Sequence, residues 1–261
     1  LFDAQSLLTG QLTISDKGMN GAGLLEMTKA SLTAEDFAFQ SEKAISQNAA
    51  FLLYSKRRSI SAFTTDDVQC SIDFSERIGE FTPNSGETAI DLPIQQYRCF
   101  MDKFRWFMDQ DEIDLISDRD VASLPLNFSE NRVHSNFISI HPLQDSLHFL
   151  SSYATYLVGE DIVKCKGVTE LAVADARVYP DSGHLTIQPQ AELKTLVNAR
   201  IIANSATQHH LIENAQLDIQ GRYAYEGSGL YQYVDGAKRV QEIMLDQIFV
   251  DDDFQTHAEG S

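Results

Sequence analysis

Cysteine is scarce in this chain: three residues of 261, Cys70, Cys99 and Cys165, with no C-x-x-C pair. So few exclude a disulfide-stapled scaffold. Each lies in an apolar stretch, where a free thiol acts as a small hydrophobe. Positive charge is scarce too. Lys and Arg number 20 against 38 Asp and Glu, a net charge of −18. That field repels phosphate backbones and anionic lipid head groups, so nucleic acid is excluded as a partner. Basic partners or cations suit it better. No apolar run approaches the ~18 residues a membrane-spanning helix needs, so the chain itself is not expected to span a bilayer. The chain opens at Leu1 with neither Met nor a basic leader. It is therefore expected to be a processed or excised piece of a longer protein.

Catalytic signatures are missing as well. There is no Walker A loop, no dinucleotide fingerprint and no H-E-x-x-H. Gly227-Ser228-Gly229 lacks the spacing of a nucleophile elbow. No cofactor is implied.

What is present is a core and a period of two. Hydrophobic residues make up 43% of the chain, enough for a packed interior. Leu12 and Ile14 alternate with polar residues before the turn-rich stretch 15–21, and Leu24, Leu25 and Met27 follow. Phe37 and Phe39 alternate in the same way. Val68, Cys70, Ile72 and Phe74 form four consecutive inward positions of one strand. Alternation of this kind buries one face of a sheet and wets the other. Between Tyr97 and Leu115 the aromatic density also suits an amphipathic helix. Yet Phe104, Trp106 and Met108 lie two apart, as do Ile113 and Leu115, which favours a hairpin about the polar Asp109–Glu112.

A short unit recurs in the second half: Asp175-Ala176-Arg177-Val178, Asn198-Ala199-Arg200-Ile201 and Asn214-Ala215-Gln216-Leu217, at spacings of 23 and 16 residues. Self-similarity near ~20 residues suggests stacked β rungs with a small residue at each corner and an aliphatic in the core. The expected fold is all-β, either a stacked β-solenoid with such rungs or an open β-jelly roll or β-sandwich. The expected organisation is an N-terminal β region at 1–116, a loop or boundary at 117–135, a C-terminal β-repeat region at 136–250 and an acidic tail at 251–261.

Few residues invite a functional reading. Tyr223/Tyr225 and Tyr231/Tyr233 read as same-face pairs on two short strands joined by the Gly-rich stretch 226–229. Such a ladder suits a glycan or peptide strand, although cross-strand packing between aromatics explains it equally simply. Trp106 is a candidate ligand platform whose plainer role is a core anchor. Asp109, Asp111 and Asp114 are candidate metal ligands or acid–base groups, against the plainer role of a solvated turn. They fail the EF-hand pattern, which needs a glycine and a distal glutamate. His209 and His210 point to opposite faces of a strand, and His134, His141 and His148 show no convergence toward a zinc site.

The phrases Gln144-Asp145-Ser146-Leu147-His148-Phe149, Val173-Ala174-Asp175-Ala176-Arg177-Val178-Tyr179-Pro180-Asp181 and Gly183-His184-Leu185-Thr186-Ile187 resemble the β repeats of the lipopolysaccharide-transport OstA/LptA-like fold. They also resemble large envelope proteins of the Bacteroidetes type. Leu12 to Ala44 has the same cadence. The resemblance implies an open or stacked β-jelly roll in the periplasm, at the outer membrane or on the cell surface. Three roles are open: the resemblance supports the first two, and the abundance of carboxylates on a β-solenoid allows the third. The first is a non-catalytic structural or binding module that meets the rest of its own longer chain or another envelope protein, with a glycan or lipid as further ligands. The second is a lipid or glycolipid conduit. The third is a carbohydrate-active enzyme with paired carboxylates on a β-helix.

Overall fold

The computed structural model describes residues 1–2, 5–16, 18–56, 60–118, 135–204, 210–234 and 236–260. Those residues are all-β: they hold 22 strands, three single-turn 3-10 segments and no α-helix. Every pairing whose register is resolved is antiparallel, so parallel rungs do not occur among these pairs. The chain divides into two compact units, 1–118 with 153–163, and 119–152 with 164–261.

The first unit begins as a meander of long strands: β1 (Ser6–Ser15), β2 (Gly18–Met27), β3 (Ala30–Phe39), β4 (Lys43–Tyr54) and β5 (Ser61–Asp73). The sheet then branches. The end of β5 pairs with β6 (Ile78–Pro83), while Thr64 and Thr65 pair with β7 (Ile90–Leu92), which carries β8 (Tyr97–Cys99). Beyond β6 run β9 (Lys103–Phe107), β10 (Glu112–Ile116) and β13 (Tyr153–Leu157). The aromatic stretch 97–115 is thus built from β8, β9 and β10, with a hairpin turning at Met108–Asp111. Phe104 and Trp106 enter the core. Phe51 lies 4.5 Å from Phe81 and 5.6 Å from Trp106, and Phe104 stacks on Phe81 at 4.4 Å. Val68, Cys70, Ile72 and Phe74 are all buried, as their alternation requires. Burial pushes the Cys70 thiol up to about 12, which keeps it an inert packing group.

The second unit contains β11 (Phe137–Ser139), β12 (His148–Phe149), β15 (Leu171–Val173), β16 (Ala176–Tyr179) and β17 (Leu185–Ile187). A meander of long strands follows: β18 (Leu196–Ala203), β19 (His210–Gly221), β20 (Ala224–Val234), β21 (Val240–Val250) and β22 (Thr256–Gly260). Strand β14 (Ile162–Lys166) straddles the division between the units.

The Ala-centred unit has a structural cause that differs from a rung corner. In each copy the alanine and the aliphatic two residues on are buried together. In β18 and β19, Ala199 pairs with Ala215 across the strands, and Val178 of β16 pairs with Ile201. The preceding Asn198 and Asn214 have φ of 57° and 48°. Both lie where the ladder register shifts. Asparagine tolerates this left-handed conformation better than most residues, so Asn-Ala marks a β-bulge that keeps the next side chains facing inward.

A further expectation gives way. Glu226–Gly229 is not a hairpin turn but the middle of the continuous strand β20. A Cβ on Gly227 would lie 2.0 Å from the Gln216 carbonyl oxygen. The glycines are there because neighbouring backbone comes close, the alternative use of glycine inside a strand. The acidic stretch after Val250 carries the last strand, β22. Asp251 accepts from the backbone N–H groups of Asp253 and Gln255, closing the turn that leads into β22. The expected boundary at 117–135 lies almost entirely outside the described residues.

Candidate functional site

Trp106, Asp109 and Asp111 come together at one end of the first unit. Two adjoining clefts, of about 300 and 240 Å³, share Thr28 and Lys29 in their walls. Trp106, Met108 and Phe74 supply apolar wall to the larger, with Arg77, Asp109 and Gln5 as its polar groups. Arg77 is held from two sides: its Nε donates to Asp109 at 3.1 Å and its Nη1 to Gln5 Oε1 at 2.7 Å. Lys29 forms an ion pair with Asp111, which lines the smaller cleft. The indole of Trp106 is 2% exposed, and its Nε1–H finds no acceptor among the described residues. It is a core anchor that contributes its edge to the cleft, too deep to offer a stacking face.

Asp114 does not join this site. It lies in β10 and accepts from the Thr155 hydroxyl at 3.1 Å. Each of the three carboxylates is therefore engaged by a cation or a hydroxyl. Among the described residues no three His, Cys, Asp or Glu side chains gather as a metal site would require. His134 and His209 fall outside the described residues.

The four tyrosines take four different roles. Tyr223 packs on Phe254 at 4.8 Å, with the Arg222 guanidinium 5.2 Å from its ring. Tyr225 is 1% exposed and shares a 2.7 Å hydrogen bond with Thr256. Burial pushes its phenol well above the usual range, partly offset by that bond. Tyr231 is hydrogen-bonded to His210 Nδ1 at 3.2 Å beside a cleft of about 250 Å³, and Tyr233 is exposed. A single binding ladder does not form, because Tyr225 turns its hydroxyl into the unit.

Motif reasoning does not find two buried glutamines. Gln95 donates to the Asp161 carbonyl at 2.7 Å and Gln144 to the Ala191 carbonyl at 2.6 Å. Each follows the spelling Pro-aliphatic-Gln, Pro93-Ile94-Gln95 and Pro142-Leu143-Gln144. That recurrence is the available signal. Their role is to satisfy buried backbone, which is costly to leave unpaired.

Strand β1 is exposed along most of its length. Among the described residues its only strand partner is β2, and at its start Ser6 also exchanges backbone hydrogen bonds with Leu1. Its ten residues, SLLTGQLTIS, carry no charge and no proline. Leu7 is 63%, Leu12 46% and Ile14 76% exposed. Natural sheets blunt their edges with lysine, proline, bulges or shortness, and β1 has no charge, no proline and full length. At its centre Gly10 faces Gly23, where a Cβ on Gly10 would lie 2.0 Å from the Ala22 carbonyl oxygen. The edge strand β22, by contrast, is five residues long and includes Glu259 and His257.

Comparison with known proteins finds no family model, no curated sequence and no solved structure that matches this chain.

Proposed function

We propose that this chain is a non-catalytic structural or binding module of a larger cell-envelope protein, outside the cytoplasm, and that it works by adding a strand at β1. The finer architecture that suits this role is an open β-jelly roll. The observation that carries the reading is the uncharged, ten-residue edge with three exposed aliphatic side chains. Such an edge pairs with another extended segment: the main chain supplies affinity, and alternate side chains supply register. Burying a fully exposed Leu or Ile is worth roughly 1.5–3 kcal/mol, so an empty edge of this kind is costly to retain without a use. The partner is a strand from the rest of its own longer polypeptide or from an envelope protein. The ten residues of β1 contribute none of the charge of −18, so a pairing strand meets no charged side chain along this edge.

The filled interior favours a module over a lipid conduit. Aromatic centroids 4.4–5.6 Å apart leave little room along the core of the first unit. An enzyme with paired carboxylates has less support, since Asp109, Asp111 and Asp114 are engaged with Arg77, Lys29 and Thr155.

The test is a photo-crosslinking residue at Ile14 of the full-length protein in its own cells, with one at exposed Glu42 as the control. The expected result is a discrete adduct from Ile14 that disappears when Leu12→Lys is added. Equal, diffuse labelling at both positions overturns the reading.

A further inference from the structure

We infer that the strand seated on β1 is β1 of a second copy of this chain, paired antiparallel about a two-fold axis through Gln11. The inference rests on the docking-edge reading above and names its occupant.

The register follows from the side chains. Leu8, Gly10, Leu12 and Ile14 share one face of β1, the face on which Leu8 pairs with buried Leu25 of β2. For two copies to extend one sheet with their core faces on the same side, an even-numbered residue must face an even-numbered one. A two-fold axis through Gln11 meets this condition. It sets Leu8 opposite Ile14 and Gly10 opposite Leu12, each twice. The most exposed aliphatic of the strand thereby gains an aliphatic partner, and Leu12 lies over a residue with no side chain. On the other face Thr9 meets Thr13 and Gln11 meets its own copy, pairs that stabilise sheets through hydroxyl and amide contacts. An axis through Gly10 is poorer, because it sets Ile14 opposite Ser6. An axis through the peptide bond between residues 10 and 11 turns the core face of one sheet against the solvent face of the other.

Charge permits the pairing. Each copy carries −18, but Ser6–Ser15 contributes none of it. The seam is therefore free of like-charge contact, and the interface is isologous and closed, as two-fold dimers are.

The test uses the purified 261-residue chain. Sedimentation velocity over a concentration series is expected to show a reversible dimer. Leu12→Lys is expected to weaken it by roughly tenfold or more, with the circular dichroism spectrum unchanged because the side chain is exposed. Directly opposed residues have Cβ atoms roughly 4.5–5.5 Å apart, close to the ~3.5–4.5 Å that a disulfide needs. Gln11→Cys is therefore expected to give a covalent dimer on mild oxidation, whereas Thr9→Cys is not. The native cysteines are buried and do not compete. A chain that stays monomeric, or that crosslinks better from position 9 than from 11, overturns the inference. If the chain is monomeric while Ile14 in cells still captures a different protein, self-pairing fails and the docking edge stands. If Ile14 captures nothing, both fail.

Discussion

Replacing Trp106 separates a core anchor from a ligand platform. The indole is 2% exposed and packs against Phe51 at 5.6 Å, in a cluster that includes Phe81 and Phe104. Truncation to alanine removes that packing and leaves a cavity between β9 and its neighbours. Substitutions of this kind cost roughly 3–5 kcal/mol. Phenylalanine behaves differently, because it keeps a ring against Phe51 and deletes an N–H that has no acceptor among the described residues. Losing a partnerless donor carries no hydrogen-bond cost, so Trp106→Phe is expected to cost about 1 kcal/mol or less. The assay is amide hydrogen exchange of β6, β9 and β10, which reports opening of this sheet even if the two units unfold separately. At about 1.4 kcal/mol per tenfold, Trp106→Ala should speed exchange there by roughly a hundred- to several-thousand-fold. Trp106→Phe should change it by no more than about tenfold. If phenylalanine is as damaging as alanine, the N–H makes a bond the packing argument omits. If alanine is harmless, the indole is not a core anchor.

Two further predictions concern β20 and the β5–β6 turn. Gly227→Val should destabilise the second unit by at least ~2 kcal/mol, because its Cβ would enter the space of the Gln216 carbonyl oxygen; an unchanged melting temperature would mean that residues 226–229 form a loop after all. Asp73 is held down at about 2, chiefly by the Glu76 backbone N–H, then by Lys43 and Ser75. Its folded value lies below the unfolded one, so its contribution to stability is complete above about pH 4 and is lost as the pH falls toward 2. Asp73→Asn should flatten the stability profile in that window, as followed by urea titration between about pH 2 and 5.

Much of the fold was legible because alternation is local. Val68, Cys70, Ile72 and Phe74 declare a half-buried strand whatever lies beside them. The same reasoning resolves the Tyr97–Leu115 stretch as a hairpin, since the inward positions fall two apart on either side of the turn. The Asn-Ala recurrence was visible, but its meaning was not. Whether Asn198 begins a rung corner or a bulge depends on the register of β19, and Ala199 reveals that only when it is seen facing Ala215. Glycine was ambiguous for a similar reason. A run such as Glu226–Gly229 satisfies the rule for a tight turn and the rule for a crowded strand, and the nearby Gln216 carbonyl decides between them.

The candidate sites divide in the same way. Asp109, Asp111 and Asp114 look alike in one dimension, yet the first two face Arg77 and Lys29 while the third faces Thr155. The four tyrosines look like a ladder, yet the buried Tyr225 shares its hydroxyl with Thr256 of β22 and cannot also meet a ligand there.

By itself the sequence determined that this protein is built from extended strands with one wet face, because side-chain alternation is a property of each segment alone. Tertiary structure decided which strands are neighbours, where the ladder bulges, and that the uncharged segment from Ser6 to Ser15 has β2 as its only strand partner among the described residues. Pairing is settled by residues distant in the chain, and an edge is defined by the strand that is not beside it.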